Sequence, residues 1–529
     1  MNPLRGRRQW GRQAAVSTGS SLATLTALDV LRDGGNAFDA AITASAMMMV
    51  VLPAANGPAG DAAAVLHHGS TGTFTSLTAL GRAPSHASVD TFRERGLSII
   101  PETGILSAST PGVIDGWLRL NREHGSLPLE RLLAPAIEHA NAGITVGDQN
   151  RRWTSDNYDV LEQEGFQSLY HPFRDPATLG TLMRQPGLAS LLTLVASLEP
   201  HALRETIADA VMDVSTQLDG LFEREDLLAD VSRIAPTTTC NVGGRTVHTN
   251  PAPTQGLIFL QHLALAERLK THKSASDSDR THLLAEIINQ SSGWRLSHLG
   301  DPRHVTVPDA LAADVLDRLE RAIDPHRRSP SVCKGAYDEG DTTHFVIADR
   351  DGNQVSWIQS LGLGFGSGVG VPELGLLLCD RLGRSATLRD HDANATAPGR
   401  TPVNTIFAWA VSDEHGPRWT GGTPGGDGQT QWNLQTVHAL ALEEIDTLDA
   451  LVRPKWTYYP GPDKAEAEMG EQLWIDAETS HALAEELSAR GHDVVWRPTV
   501  GGVTRVVETK NDVLLALDDG RQEGLTTAI

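Results

Sequence analysis

The sequence predicts a mixed α/β (α+β) fold organised around an antiparallel hairpin, and three stretches carry that expectation. The first runs Asp341-Thr342-Thr343-His344-Phe345-Val346-Ile347-Ala348, then Asp349-Arg350-Asp351-Gly352-Asn353, then Gln354-Val355-Ser356-Trp357-Ile358-Gln359-Ser360. Two β-rich runs flank a segment containing Asp-Gly, a strong local hairpin signal. The second spans Ser17 to Leu31, where Leu22, Leu25, Leu28 and Leu31 recur at helical spacing before Arg32-Asp33-Gly34-Gly35 closes the helix; Gly35 to Ala41 then opens another, rich in small residues. The third is the set of later runs: a strand over Ala62 to His67, core helices over Leu257 to Leu269 and Thr430 to Leu442, and a strand over Leu374 to Cys379.

Composition narrows the function classes. A chain of 529 residues with 40% hydrophobic content can bury a large core. Its formal charge of −22 argues against a nucleic-acid partner, because no basic stripe could offset it. Cys240, Cys333 and Cys379 are odd in number and lack metal-ligand spacing, so neither a disulfide framework nor a metal site is expected, and they read as small core residues. Arg5, Arg7, Arg8 and Arg12 are followed by no apolar stretch of a secretory signal, and the apolar run Ala40 to Pro53 is too short to span a bilayer. No membrane association and a cytoplasmic location are the expectations. No internal repeat, phosphate-binding or dinucleotide-binding motif is found, and Ser274 to Arg280 reads as a polar linker.

The hairpin carries the chemistry. Pairing Ala348 with Gln354 brings Thr342 across from Ser360, two hydroxyls at one end of the ladder. A threonine hydroxyl is a poor nucleophile without a base, and one solution is the residue's own α-amine once the chain is cut before it. With a free pKa of about 7.7 to 8.0, that amine can accept a proton near neutral pH. The candidate processing site is therefore Asp341-Thr342, in a polar stretch from Asp324 to Asp341 suited to an exposed, mobile segment, with Thr343 the rival nucleophile if the cut falls one residue later. From these residues alone, an ordinary hairpin with threonines on a solvated face is the better reading.

The neighbourhood decides between them. Thr342-Thr343-His344-Phe345, Asp351-Gly352-Asn353 and Gln359-Ser360 resemble the γ-glutamyltranspeptidase family of N-terminal-nucleophile hydrolases. Similar blocks run through nearly the whole chain: Gly34 to Ala41, the loop Asn56 to Asp61, Ser109 to Trp117, Leu132 to Ile137, Asn250 to Gly256, Ala397 to Pro402, Gly421 to Gln429 and Arg453 to Trp456. The resemblance implies a four-layer αββα sandwich, made as one precursor and split into a large chain, 1–341, and a small chain, 342–529. It implies a self-cleaving amidohydrolase that uses no cofactor, acts on a small-molecule amide through an acyl-enzyme, and assembles as a heterodimer of its own two chains or a higher oligomer. Thr342 would attack, Ser360 would orient it, and the Gly425-Gly426 turn would hold the oxyanion.

Several positions depart from the family pattern. Typical members place an arginine three residues before Ala-Pro to grip the substrate α-carboxylate. Here that position is Leu80, and Arg82 either replaces it along another backbone path or is a solvated charge. Gly362 stands where relatives carry asparagine, and Arg384 where they carry an aspartate for the substrate α-ammonium. An arginine there would repel an ammonium and attract a carboxylate. Asn404 and Thr405 match the serines that touch the substrate carboxylate and keep hydrogen-bonding capacity. These departures tilt the expectation from γ-glutamyl compounds such as glutathione towards a short carboxylated acyl group, which oxamate amidohydrolase of this family fits, and from transfer towards hydrolysis. The remaining readings are an acylase for another amide, such as a cephalosporin side chain, and a catalytically retired homologue that binds a small ligand.

Overall fold

The computed structural model describes residues 6–157, 160, 179–332, 341–459 and 470–529. Cys333 and the rest of 333–340, the part of the polar stretch just before Asp341, lie outside the described residues. Two antiparallel seven-stranded sheets form the centre. One runs in spatial order Leu525–Ala528, Ala14–Thr18, Asp341–Asp349, Gln354–Gly362, Asp61–His68, Thr73–Ala79 and Ser232–Pro236. The other runs Arg7–Gly11, Val513–Asp518, Arg505–Lys510, Gly416–Gly422, Trp409–Asp413, Arg245–Thr249 and Thr238–Val242.

Every layer of this αββα sandwich is apolar for a reason visible in the strands. In the hairpin, Phe345, Ile347, Val355 and Trp357 join the core beneath the helices, whereas Val346 and Ala348 pack with Val507, Leu514 and Ala516 of the opposite sheet. Side chains alternate between faces along a strand, so a sheet buried on both faces must be apolar at successive positions. The helix Ala37–Val51 covers the first sheet and is buried at every residue, which its alanines permit by bringing the backbone close. Asn36 caps it by accepting from the N–H groups of Phe38 and Asp39, and the Asp39 carboxylate accepts in return from the Asn36 N–H. On the other side Gly256–Arg268, Asp277–His298 and Gln429–Ala441 pack on the second sheet around Phe259, Leu263, Phe407 and Leu434.

Local expectations fail where tertiary contacts intervene. Ser17 and Thr18 end a strand, and the first helix spans Ser21–Arg32. The linker expected over Ser274 to Arg280 turns helical at Asp277, because the Ser276 side chain accepts from the Asp279 N–H as an N-cap. The strand expected over Leu374 to Cys379 shrinks to Leu376–Leu377, paired with Gly370–Val371. Of the cysteines, Cys379 is fully buried and Cys240 half-buried. No helix among the described residues is long and apolar enough to cross a membrane.

Candidate active site

The expected hairpin register holds from Ala348 opposite Gln354 to Thr343 opposite Gln359. It then breaks: Asp341 pairs with Gly362, so Ser360 and Leu361 together oppose Thr342 and the extra residue of the β-bulge lies on the second strand. At this hairpin end Thr342 Oγ1 donates to Ser360 Oγ at 3.1 Å. Ser360 Oγ also accepts from the Gly362 N–H at 2.9 Å, which fixes the hydroxyl from behind. Both residues are buried, Ser360 completely. Thr343 is buried beside them, opposite Gln359 in the ladder.

Gly362 makes the bulge possible. Its φ is +104°, and a Cβ on it would lie 1.7 Å from Asp380 Oδ1. The absence of a side chain at this position, read from the sequence as a lost asparagine, is dictated by the buried Asp380 carboxylate, which accepts from the Leu363 N–H at 3.2 Å. Arg384 donates from Nη1 to the Gly362 carbonyl at 3.0 Å, so it lies against the same strand end, half-buried.

His344 serves structure, not proton transfer. Ser356 Oγ donates to the Gly421 carbonyl at 2.8 Å, so at the 2.9 Å contact between His344 and Ser356 the imidazole Nε2–H must be the donor. Burial, then the charge of Arg505, holds its pKa well below the usual histidine range. It stays neutral and pins the hairpin to the opposite sheet, where a Cβ on Gly422 would lie 2.5 Å from its Nε2.

The strand Gly416–Gly422 leads from that contact directly into Thr423-Pro424-Gly425-Gly426. Gly425 and Gly426 have φ of +115° and +48°, and a Cβ on Gly425 would lie 2.5 Å from the Trp432 ring. Asp427 anchors the turn, accepting from Gln255 Nε2 at 2.6 Å and pairing with Arg295 at 2.8 Å. Backbone N–H groups in such a turn can face a developing oxyanion.

Asp61, which sequence reading treated only as the end of a loop, is the hub of the site. It lies opposite Ser360 in the ladder. Its carboxylate accepts from the Gly81 N–H at 2.7 Å, Arg381 Nε at 2.9 Å and Asn404 Nδ2 at 2.6 Å. Arg381 and Asp61 are both fully buried, and breaking such a pair costs about 3–5 kcal/mol. Burial works against the charge of Arg381, but Asp61, Cys379 and Asp380 more than offset it and raise its pKa. Burial and Asp61 push the Cys379 thiol well up, so it stays protonated. The only sequence signal for Arg381 was a charged pair, Asp380-Arg381, inside an otherwise apolar run.

Asn404 and Arg82 are held by partners distant in sequence. The Asn404 amide donates to Asp61 and its Oδ1 accepts from the Ile406 N–H; the adjacent Thr405 is buried. Arg82 finds its charged neighbours in Arg303, Asp301, Asp115 and Asp230, none of which belongs to the Thr342 cluster. No group of histidine, cysteine, aspartate and glutamate that could hold a metal ion occurs among the described residues.

Comparison with known proteins places this geometry. The gamma-glutamyltranspeptidase family profile matches residues 23–529. The chain is 30% identical to the oxamate amidohydrolase proenzyme of Klebsiella pneumoniae, covering 95% of this chain and 96% of that one. It is 26% identical to the glutathione hydrolase proenzyme of Escherichia coli, covering 98% and 92%. The crystal structure of cephalosporin acylase from Bacillus halodurans superposes with a TM-score of 0.89 at 24% identity, covering 99% of this chain and 97% of that one, and so shares the fold. This chain therefore belongs to the γ-glutamyltranspeptidase family and is an amidohydrolase of the N-terminal-nucleophile class.

Proposed function

We propose that Thr342 is the nucleophile both of self-cleavage at Asp341-Thr342 and of hydrolysis of a short, carboxylate-bearing amide. The observation that carries this reading is the buried end of the hairpin, where Thr342 Oγ1 lies 3.1 Å from Ser360 Oγ. In maturation, Thr342 Oγ attacks the Asp341 carbonyl carbon. The C–N bond breaks as the C–O bond forms, the proton passes to the new amine, and water hydrolyses the ester to leave Asp341 as a carboxylate and Thr342 as a free amino terminus. The products are a large chain, 1–341, and a small chain, 342–529, that remain together through the shared sheets.

In turnover the same oxygen attacks the substrate carbonyl. The α-amine, with a free pKa of about 7.7 to 8.0, takes the hydroxyl proton and gives it to the leaving amine, and water discharges the acyl-enzyme. Gly425 and Gly426 supply N–H donors to the oxyanion, and losing one such donor typically costs about 2.7 to 4 kcal/mol. Ser360 keeps the attacking hydroxyl in its rotamer. A carboxylated acyl group without an ammonium is favoured by arginine at position 384, where an aspartate would be needed to receive an ammonium. It is also favoured by the similarity to an oxamate amidohydrolase.

A denaturing gel tests the first half: the wild-type chain is expected as two bands and Thr342→Ala as one uncut chain of 56.7 kDa. Mass spectrometry must find a fragment beginning at Thr342. Turnover without that fragment refutes the scheme. Ammonia release from oxamate against p-nitroaniline release from a γ-glutamyl anilide tests the second half, with oxamate the expected substrate.

A further inference from the structure

We propose that Arg381, rather than Arg384, receives the carboxylate of the acyl group, with the hydroxyls of Ser109 and Thr405 completing the subsite. This rests on the reading of Thr342 as nucleophile. Arg381 is fully buried, and Nε alone is engaged, donating to Asp61 Oδ2 at 2.9 Å. Nη1 and Nη2 have no hydrogen-bond partner among the described residues. A guanidinium carries five N–H donors in a planar fork, so the unused four form the edge that matches a carboxylate bidentately. Buried donors left without acceptors are costly, and few folded proteins retain several in one place without a ligand or ordered water.

The same hub carries two more such groups. Ser109 Oγ and Thr405 Oγ1 are both buried and unpartnered among the described residues. Ser109 Oγ lies 2.6 Å from where a Cβ on Gly81 would stand, and the Gly81 N–H donates to Asp61. Thr405 follows Asn404, whose amide donates to the other Asp61 oxygen. Asp61 in turn lies opposite Ser360, the residue that holds the Thr342 hydroxyl. A cluster of orphan donors therefore stands one strand from the nucleophile. Arg384, by contrast, already donates to the Gly362 carbonyl. Asp61 and Asp380 balance Arg381 and Arg384 in formal charge, so recognition rests on directed N–H and O–H donors rather than on bulk attraction.

Ammonia release from two pairs of amides, oxamate with oxamide and succinamate with succinamide, separates the possibilities. Mature wild-type enzyme is expected to prefer the carboxylated member of at least one pair by about 100-fold in kcat/KM. Arg381→Gln is expected to bring that ratio within about threefold of unity, chiefly through KM, with appearance of the two chains on a gel reporting that it folds. A ratio that Arg381→Gln leaves unchanged, or rates that fall in parallel on both members, would mean that Arg381 is held by water or strain alone and overturns the proposal. If Arg381→Gln does not accumulate as two chains, Arg381→Lys is read by the same ratio, since it keeps the cation beside Asp61 and loses the fork; a loss of at least about tenfold in the ratio is expected and an unchanged ratio is fatal. A wild-type enzyme that cleaves itself yet shows no preference for carboxylated amides overturns the Arg381 assignment alone, whereas a chain never cut before Thr342 overturns the nucleophile beneath it.

Discussion

Gly362→Ala is the substitution through which the site's backbone can be examined without touching a reacting group. A Cβ there would lie 1.7 Å from Asp380 Oδ1, when contacts under 3.0 Å are essentially never seen, so something must move by more than an ångström. Asp380 is poorly placed to yield: it is fully buried, its N–H donates to the Leu361 carbonyl at 3.1 Å, and its own carbonyl accepts from the Arg384 N–H at 3.0 Å. Displacing its carboxylate from the Leu363 N–H forfeits a charge-assisted bond of about 1.5–3 kcal/mol. A side chain at a φ of +104° adds backbone strain of about 1–3 kcal/mol. Because the Gly362 N–H holds Ser360 Oγ, the disturbance reaches the Thr342 hydroxyl directly. If even about 1.4 kcal/mol of it falls on the geometry of attack, cleavage slows about tenfold. A chase after a short pulse of synthesis, followed by gel densitometry, measures that rate. Gly362→Ala is expected to lag by at least that factor, and Gly362→Ala/Asp380→Ala to run faster than the single variant because the collision is removed. Wild-type speed in the single variant, or no recovery in the double, refutes the reasoning.

Ser360→Ala removes the acceptor of both the Thr342 hydroxyl and the Gly362 N–H and leaves the latter buried without a partner, at about 1–3 kcal/mol. Self-cleavage and amide turnover are both expected to fall about 10- to 100-fold, with Ser360→Thr recovering most of the loss; processing at the wild-type rate in Ser360→Ala would count against the assigned role. A separate expectation concerns acid stability. Burial works against the Glu443 carboxylate, but the hydrogen bond from His438 and the charges of Arg280 and Arg453 outweigh it and lower its pKa from 4.5 to about 2. A folded-state pKa below the unfolded one means that the contribution is complete above pH 4.5 and drains away as the pH falls towards 2. Circular dichroism of acid unfolding should therefore show a shallower loss in that window for Glu443→Gln than for wild type, and parallel curves would remove Glu443 from the account.

The parts of the site that were legible from residues alone are those set by local chemistry. The Asp-Gly turn and the alternation after it fix the hairpin register as far as Thr343 opposite Gln359, and the consecutive glycines at 425 and 426 announce a turn that only glycine can make. The bulge opposite Thr342 was not legible, because Asp380, which excludes a side chain from Gly362 at its end, arrives 18 positions later and acts only through space. The same holds for Asp61, which reaches Arg381 and Asn404 across separations of 320 and 343 residues. The residues around Asn404 show its hydrogen-bonding capacity but not the buried Asp61 that uses it, and those around Arg82 leave a clamp and a solvated charge equally open because its acidic neighbours are distant in sequence.

By itself the sequence determined that this chain builds a two-sided antiparallel sheet with a hydroxyl pair at the end of a hairpin, since side-chain period and turn chemistry are properties of adjacent residues. Tertiary structure decided which cation is left with free donors. A guanidinium is spent or available according to the carboxylates and carbonyls the fold brings beside it, and for Arg381 and Arg384, three positions apart on one short helix, the sequence does not display those partners.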